Sequence, residues 1–236
     1  MGETVSMKGT SNVKLLFFDM EFANGQVPGS IYSFGYLVTN EAFEILVPPT
    51  DLLVNPEAPW NAYVVEHILA YPKEEVEAAP AFPAYYERLR ALFAEADVAV
   101  GFAVSNDIRA LKSACARYAL EPIRFATLDM EKICRNMEEH REAHGLAGYV
   151  RAWCGAEPLN QHRSDGDALA TMHLLRAICK EKHVTPEMMQ IAFPEAMATS
   201  VQAEKRAKKP MGRHRHHKKG GRNKSKAAPA AATVDA

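Results

Sequence analysis

Apolar positions along this chain follow two rhythms. Short, nearly continuous runs at residues 13–18, 31–38, 42–47, 98–102 and 123–128 have the length and make-up of strands, and the compact run at 98–102 fits a buried one. Thr39-Asn40-Glu41, between the second and third runs, reads as a hairpin turn, and Pro48, Pro49, Pro56 and Pro59 then break regular structure across a loop. Elsewhere the spacing changes to three and four residues. Tyr85, Leu89, Leu92 and Phe93 share one face of a helix over 82–96, and Ile108, Leu111, Cys115 and Tyr118 form the stripe of another, with Ser105 placed to cap it. Further helices are expected at about 129–140, 143–153 and 165–181, the last gathering Ala168, Met172, Leu175 and Cys179 on one side. The apolar residues of 188–193, after Pro186, read as a final element packing back on the domain. Three strands followed by strands alternating with helices predict an α/β fold, a mixed five-stranded sheet flanked by helices.

Length and composition agree with that picture. At 236 residues, 47% apolar, the chain suits a folded domain spanning 13–200, with a loose polar end over 1–12 and a different kind of segment beyond 200. Four cysteines spaced 19, 20 and 25 residues apart include no C-x-x-C pair, which argues against a zinc ribbon or redox motif. Cysteines in amphipathic stretches behave as small hydrophobes, and the reducing cytoplasm is the expected compartment. No apolar leader opens the sequence, and nowhere do 18 apolar residues run together, so no membrane partner is expected.

The formal charge of −1 conceals a division. Glu204 to Lys226 holds eleven Lys and Arg against one acid, which leaves 17 basic and 28 acidic residues elsewhere, about −11. Lys205, Arg206, Lys208 and Lys209, then Arg213, Arg215, Lys218 and Lys219, form two cationic clusters separated by Pro210-Met211-Gly212. Such a segment has too little apolar surface to offset its ordering entropy and is expected to be a disordered arm over 201–236. Beside an acidic body, its expected role is to hold phosphate backbone without base preference. Three histidines within His214–His217 lack the scaffold that a metal site requires.

Three separated fragments carry the candidate chemistry. The first strand ends in Asp19-Met20-Glu21, whose alternation puts both carboxylates on one face. Asp107 follows the apolar run at 98–102 and falls in a helix's first turn, where the helix dipole alone also favours an acid. His162 precedes a helix whose first turn carries both Asp165 and Asp167, so an imidazole and a carboxylate can serve one site.

Taken together these fragments resemble the DEDDh exonucleases of the ribonuclease-H-like superfamily, over roughly residues 13 to 181. Asp19 and Glu21 fall on the first motif, Asp107 on the second, and His162 with Asp167 on the His-x-x-x-x-Asp third; this offset prefers Asp167 to Asp165. Phe22 stands where the proofreading members have Thr, and Phe102-Ala103 stands where many have His-Asn, so substrate preference does not carry over. The resemblance implies 3′→5′ hydrolysis of single-stranded RNA or DNA ends, releasing nucleoside 5′-monophosphates. It also implies two Mg²⁺ or Mn²⁺ ions, which carboxylate oxygens suit better than they suit zinc. Asp19 would then bridge the ions, with Glu21 and Asp167 on one side and Asp107 near the second, while His162 acts as general base. Phe22 could stack on the terminal base or be core. Some relatives are dimers, so a homodimer is an open expectation.

Two other readings compete. A non-catalytic nucleic-acid-binding module could use the same fold, although the full acid set argues against it. A haloacid-dehalogenase-like phosphatase would want a second Asp where Glu21 stands.

Overall fold

The computed structural model describes residues 13–159 and 162–200. The expectations for the N-terminal end and the cationic arm, with Lys205, Arg206, Lys208, Lys209, Arg213, Arg215, Lys218 and Lys219, lie outside the described residues.

The first apolar run extends further than expected, as β1 (Lys14–Phe22), and pairs antiparallel with β2 (Ile31–Asn40), which pairs antiparallel with β3 (Ile45–Leu53). β4 (Val98–Gly101) joins β1 in parallel, and β5 (Ala126–Asp129) joins β4 in parallel. A short β6 (Met197–Thr199) closes the far edge antiparallel to β5, giving six strands in the order β3-β2-β1-β4-β5-β6 rather than the five expected. Three residues, each only half-buried, leave too little pattern for β6 to be read from sequence.

β3 corrects the expectation of a proline-broken loop, because it runs through Pro48 and Pro49. It is an edge strand, where a missing N–H costs no ladder bond, and its register to β2 shifts between the Tyr36–Thr50 and Val38–Val47 pairs, around those prolines. Two six-residue helices in the same region, α1 (Ala62–His67) and α2 (Lys73–Ala78), are too short for periodicity to reveal. The Asn61 side chain caps α1 by accepting from the Tyr63 N–H at 2.9 Å.

Helices cover both faces of the sheet. On one side lie α3 (Tyr86–Glu95), entered through a 3₁₀ turn at Phe82–Ala84, and α4 (Ser105–Arg117). On the other lie α5 (Met130–Asn136), α6 (Gly145–Cys154) and the long α7 (Ser164–Lys182), with α8 (Pro186–Ala192) packing back through Met189. Because both faces are buried, β1 alternates between two cores rather than between core and water. Leu15 and Phe17 join the core under α5, α6 and α7, whereas Leu16, Phe18 and Met20 join the one under α3 and α4. Phe18 meets Phe34, Phe93 and Phe125 at ring separations of 6.2, 5.3 and 6.0 Å. Removing such a ring costs about 3–5 kcal/mol. All four cysteines are free, and Cys115, Cys134 and Cys179 are buried. Among the described residues, no helix is long and apolar enough to cross a membrane.

The alternation has a consequence for chemistry. Asp19 and Glu21 continue the Leu15–Phe17 side of β1, so both acids face the layer that contains α7.

Candidate active site

β1 delivers Asp19 and Glu21 at its carboxyl end, and α7 delivers Asp167 from its first turn. Carboxylate oxygens of these three residues lie within 4.8 Å of one another. One glycine makes the approach possible. Gly35 on β2 is the cross-strand partner of Asp19, and a β-carbon there would lie 1.9 Å from the Ser164 carbonyl carbon and 2.0 Å from the Asp165 nitrogen. Backbone of α7 therefore rests directly on backbone of β2, one strand away from Asp19. A lone Gly inside an apolar strand is a legible sign of such an approach, though sequence cannot say what approaches.

Asp107 sits on α4, 5% exposed. It stands outside the 4.8 Å group but is the strongest charge influence on Asp19. Ser105 does not cap this helix as expected: the cap position is Val104, which makes no side-chain cap bond. The turn is instead held from a neighbouring strand. Asp129, buried at the end of β5, accepts from the Ala103 N–H at 3.0 Å, where Ala103 has φ of +57°, and also from the Glu131 N–H at 3.2 Å. Asp129 thus ties the β4–α4 turn to the start of α5, and its part was invisible in sequence.

His162 lies just before α7, exposed and with φ of +65°. Its backbone N–H donates to Asp167 Oδ2 at 3.2 Å, so the histidine's loop is attached to the acid group. The competing acid, Asp165, is committed elsewhere: its carboxylate pairs with the Arg163 guanidinium at 3.2 and 3.3 Å. Phe22 is partly buried and packs against the α3–α4 core, the packing role that the sequence left open beside base stacking.

The acids strain one another electrostatically. Burial first, then Asp107, Glu21, Asp167 and Asp51, hold the Asp19 carboxyl well above the usual carboxylate range. Burial and the neighbouring acids push Glu21 up to about 8, and burial pushes Asp107 up to about 7. Burial also raises Asp167 to about 6, against the opposing influence of His162. Buried carboxylates this close are unfavourable together unless protons or cations intervene. Hard oxygen donors at this spacing suit a divalent cation of the magnesium type.

A mixed sheet in this order, with acids gathered at the end of β1 under a helix start, defines a DEDDh-type nuclease fold of the ribonuclease-H-like superfamily. The chain belongs to the exonuclease family typified by ribonuclease T, whose model matches residues 16–175. Among solved structures it is similar to E. coli exonuclease I bound to a dT oligonucleotide, with 17% identity, a TM-score of 0.62, and coverage of 77% of this chain and 43% of that one. A zinc-bound complex of E. coli exonuclease I with single-stranded DNA gives 17% identity and a TM-score of 0.61, over 73% of this chain and 42% of that one. A 3′-exonuclease described in 3′-end-specific recognition of a histone mRNA stem-loop gives 13% identity and a TM-score of 0.59, over 73% and 84% of the two chains. The chain spans less than half the length of exonuclease I. No curated protein matches it by sequence.

Proposed function

We propose that this protein is a metal-dependent 3′→5′ exonuclease that hydrolyses single-stranded RNA or DNA from the end and releases nucleoside 5′-monophosphates. The observation that carries the reading is the carboxylate trio of Asp19, Glu21 and Asp167, closed to within 4.8 Å, with buried Asp107 beside it. The exonuclease family to which the chain belongs supports it, as do neighbours crystallised with single-stranded DNA or described with an RNA 3′ end.

Asp19, Glu21 and Asp167, with Asp107 beside them, would hold Mg²⁺ or Mn²⁺. When bound, such ions would supply charge neutralisation on a scissile phosphate and stabilisation of its leaving oxygen. The chain's own groups do the remaining work. His162 takes the proton of the attacking water, and the bond from its backbone N–H to Asp167 keeps its loop beside the acids. Burial limits how far water can screen the repulsion among the acids, so a bound proton or cation would relieve it. The cationic segment from Lys205 to Lys226 supplies sequence-independent affinity for the phosphate backbone.

The test is hydrolysis of matched RNA and DNA oligomers labelled at the 5′ end, after chelation and after returning Mn²⁺. A ladder shortening from the 3′ end, dependent on the ion and accompanied by nucleoside 5′-monophosphates, is the expected result. Internal cuts, shortening from the other end, or activity indifferent to the chelator would overturn it.

A further inference from the structure

Beyond the four acids and the histidine, a fifth carboxylate lies in the same row of the sheet. Asp19 on β1 pairs with Gly35 on β2, and Gly35 pairs in turn with Asp51 on β3. The start of α7 sits over Gly35 and is therefore bracketed by Asp19 on one side and Asp51 on the other. Both Asp51 oxygens are occupied. Oδ1 accepts from the Ser33 hydroxyl at 2.6 Å, and Oδ2 accepts from the Tyr71 hydroxyl.

Each of these contacts leads to the histidine's loop. Ser33, fully buried, also meets the Ser164 hydroxyl at 2.6 Å. A hydroxyl has one proton, and an ionised carboxylate only accepts, so Ser33 donates to Asp51 and Ser164 donates to Ser33. Asp51 thereby fixes the direction of a chain that ends on the first residue of α7. Tyr71 works from the loop between α1 and α2: the Arg163 guanidinium lies 5.0 Å from its ring centroid. That guanidinium is also held by Asp165. Arg163 directly follows His162, so two routes from Asp51, through Ser33 and through Tyr71, converge on the residues that follow the histidine.

We infer that Asp51 is a positioning residue, which fixes the His162 loop through Ser33–Ser164 and Tyr71–Arg163. The inference deepens the reading of His162 as general base and rests on it. Asp51 stands apart from the Asp19, Glu21 and Asp167 group, two strands from Asp19, with each oxygen engaged by a hydroxyl. What it supplies is a hydrogen-bond acceptor rather than a charge. An isosteric amide therefore replaces it: the Asn oxygen accepts from Ser33, and the amide donates to Tyr71.

A double-mutant cycle on the full-length chain, measured as single-turnover and steady-state hydrolysis of a labelled oligomer, tests this. Asp51→Ala is expected to lower kcat by on the order of 100-fold, with KM changed little, because misplacing a catalytic group by about 1 Å costs about that much. Asp51→Asn should restore most of the turnover. In a His162→Ala background the same Asp51→Ala change should cost at least about 10-fold less than it does alone, since the part of the loss that runs through the histidine is gone and only the shift of Asp167 on the same turn remains. If Asp51→Ala fails to fold by circular dichroism, Tyr71→Phe keeps the ring stack, breaks one bond, and should lose about 5-fold alone and nothing in the His162→Ala background. Losses that stay undiminished without His162, or no loss with it, would overturn the inference while leaving the histidine's role intact. Wild-type turnover in His162→Ala itself would remove the general base, and this proposal with it.

Discussion

Replacing Gly35 with alanine tests whether the acids are brought together by one backbone contact. The added carbon would stand 1.9, 2.0 and 2.3 Å from three backbone atoms of Ser164 and Asp165. Ordinary contact begins near 3.4 Å, so the start of α7 has to retreat by about 1.5 Å. Backbone cannot swing aside as a side-chain tip can. Asp167 sits within the same turn, so its carboxylate moves with it, away from Asp19 and Glu21. A displacement of about 1 Å at a reacting centre costs roughly 100-fold in rate. Overpacking at such a contact costs about 1–3 kcal/mol of stability. The assay pairs turnover on a 3′-degradable oligomer with thermal melting, followed across a Mn²⁺ titration. The expected pattern is a loss of two orders of magnitude or more, a higher Mn²⁺ requirement, and a folded protein with a lowered Tm. A folded Gly35→Ala variant with near-wild-type turnover at low Mn²⁺ would refute the idea that α7 docking closes the site.

Other outcomes follow from the same geometry. His162→Ala should reduce kcat by about 10²–10⁴-fold with KM nearly unchanged, and a defect confined to KM would contradict a proton-transfer role. Asp129→Ala should release the β4–α4 turn and raise the Mn²⁺ needed for half activity, whereas Asp129→Asn, still able to accept from Ala103, should stay near wild type; equal behaviour of the two would speak against it. Stability of the chelated protein should depend on pH with a definite sign. The raised carboxyls keep protons in the folded chain that the unfolded chain releases above about 4.5, so stability falls as pH rises from there to about 8, where Glu21 titrates. Melting from pH 5 to 8 should show a falling Tm that Glu21→Gln flattens and Mn²⁺ restores; a Tm that rises over that window in the chelated protein would contradict it. Removing residues 204–236 should weaken binding of longer oligomers and make the salt dependence shallower by about 0.7 for each phosphate the arm neutralises, and an unchanged slope would remove the arm from binding.

How much of this was legible in the chain depends on the range of the interaction. The strand-forming runs and the long helices were readable because burial imposes a local period, as Leu89 and Phe93 or Met172 and Leu175 show. α1, α2 and β6 were missed because six- and three-residue elements carry no period, and the continuation of β3 past Val47 because prolines break a strand only where their N–H is needed. In the site, alternation put Asp19 and Glu21 on one face, but their assignment, like the preference for Asp167 over Asp165, came from the combined motifs and the family resemblance. The physical ground for that choice appears only in three dimensions, where Arg163 takes up Asp165. Ser33, Asp51, Tyr71 and Asp129 act through contacts between residues as far as 131 positions apart, which no local pattern records, and Gly35 marks a close approach without naming what approaches.

The most direct test of the central claim is a calorimetric titration of Mn²⁺ into the chelator-treated, full-length protein and its Asp19→Ala variant. Converging carboxylates predict saturable uptake by the wild type that disappears, or falls to the weak binding of scattered surface acids, in the variant. Absence of specific uptake by the wild type, or an unchanged isotherm after Asp19→Ala, would contradict the account at its base.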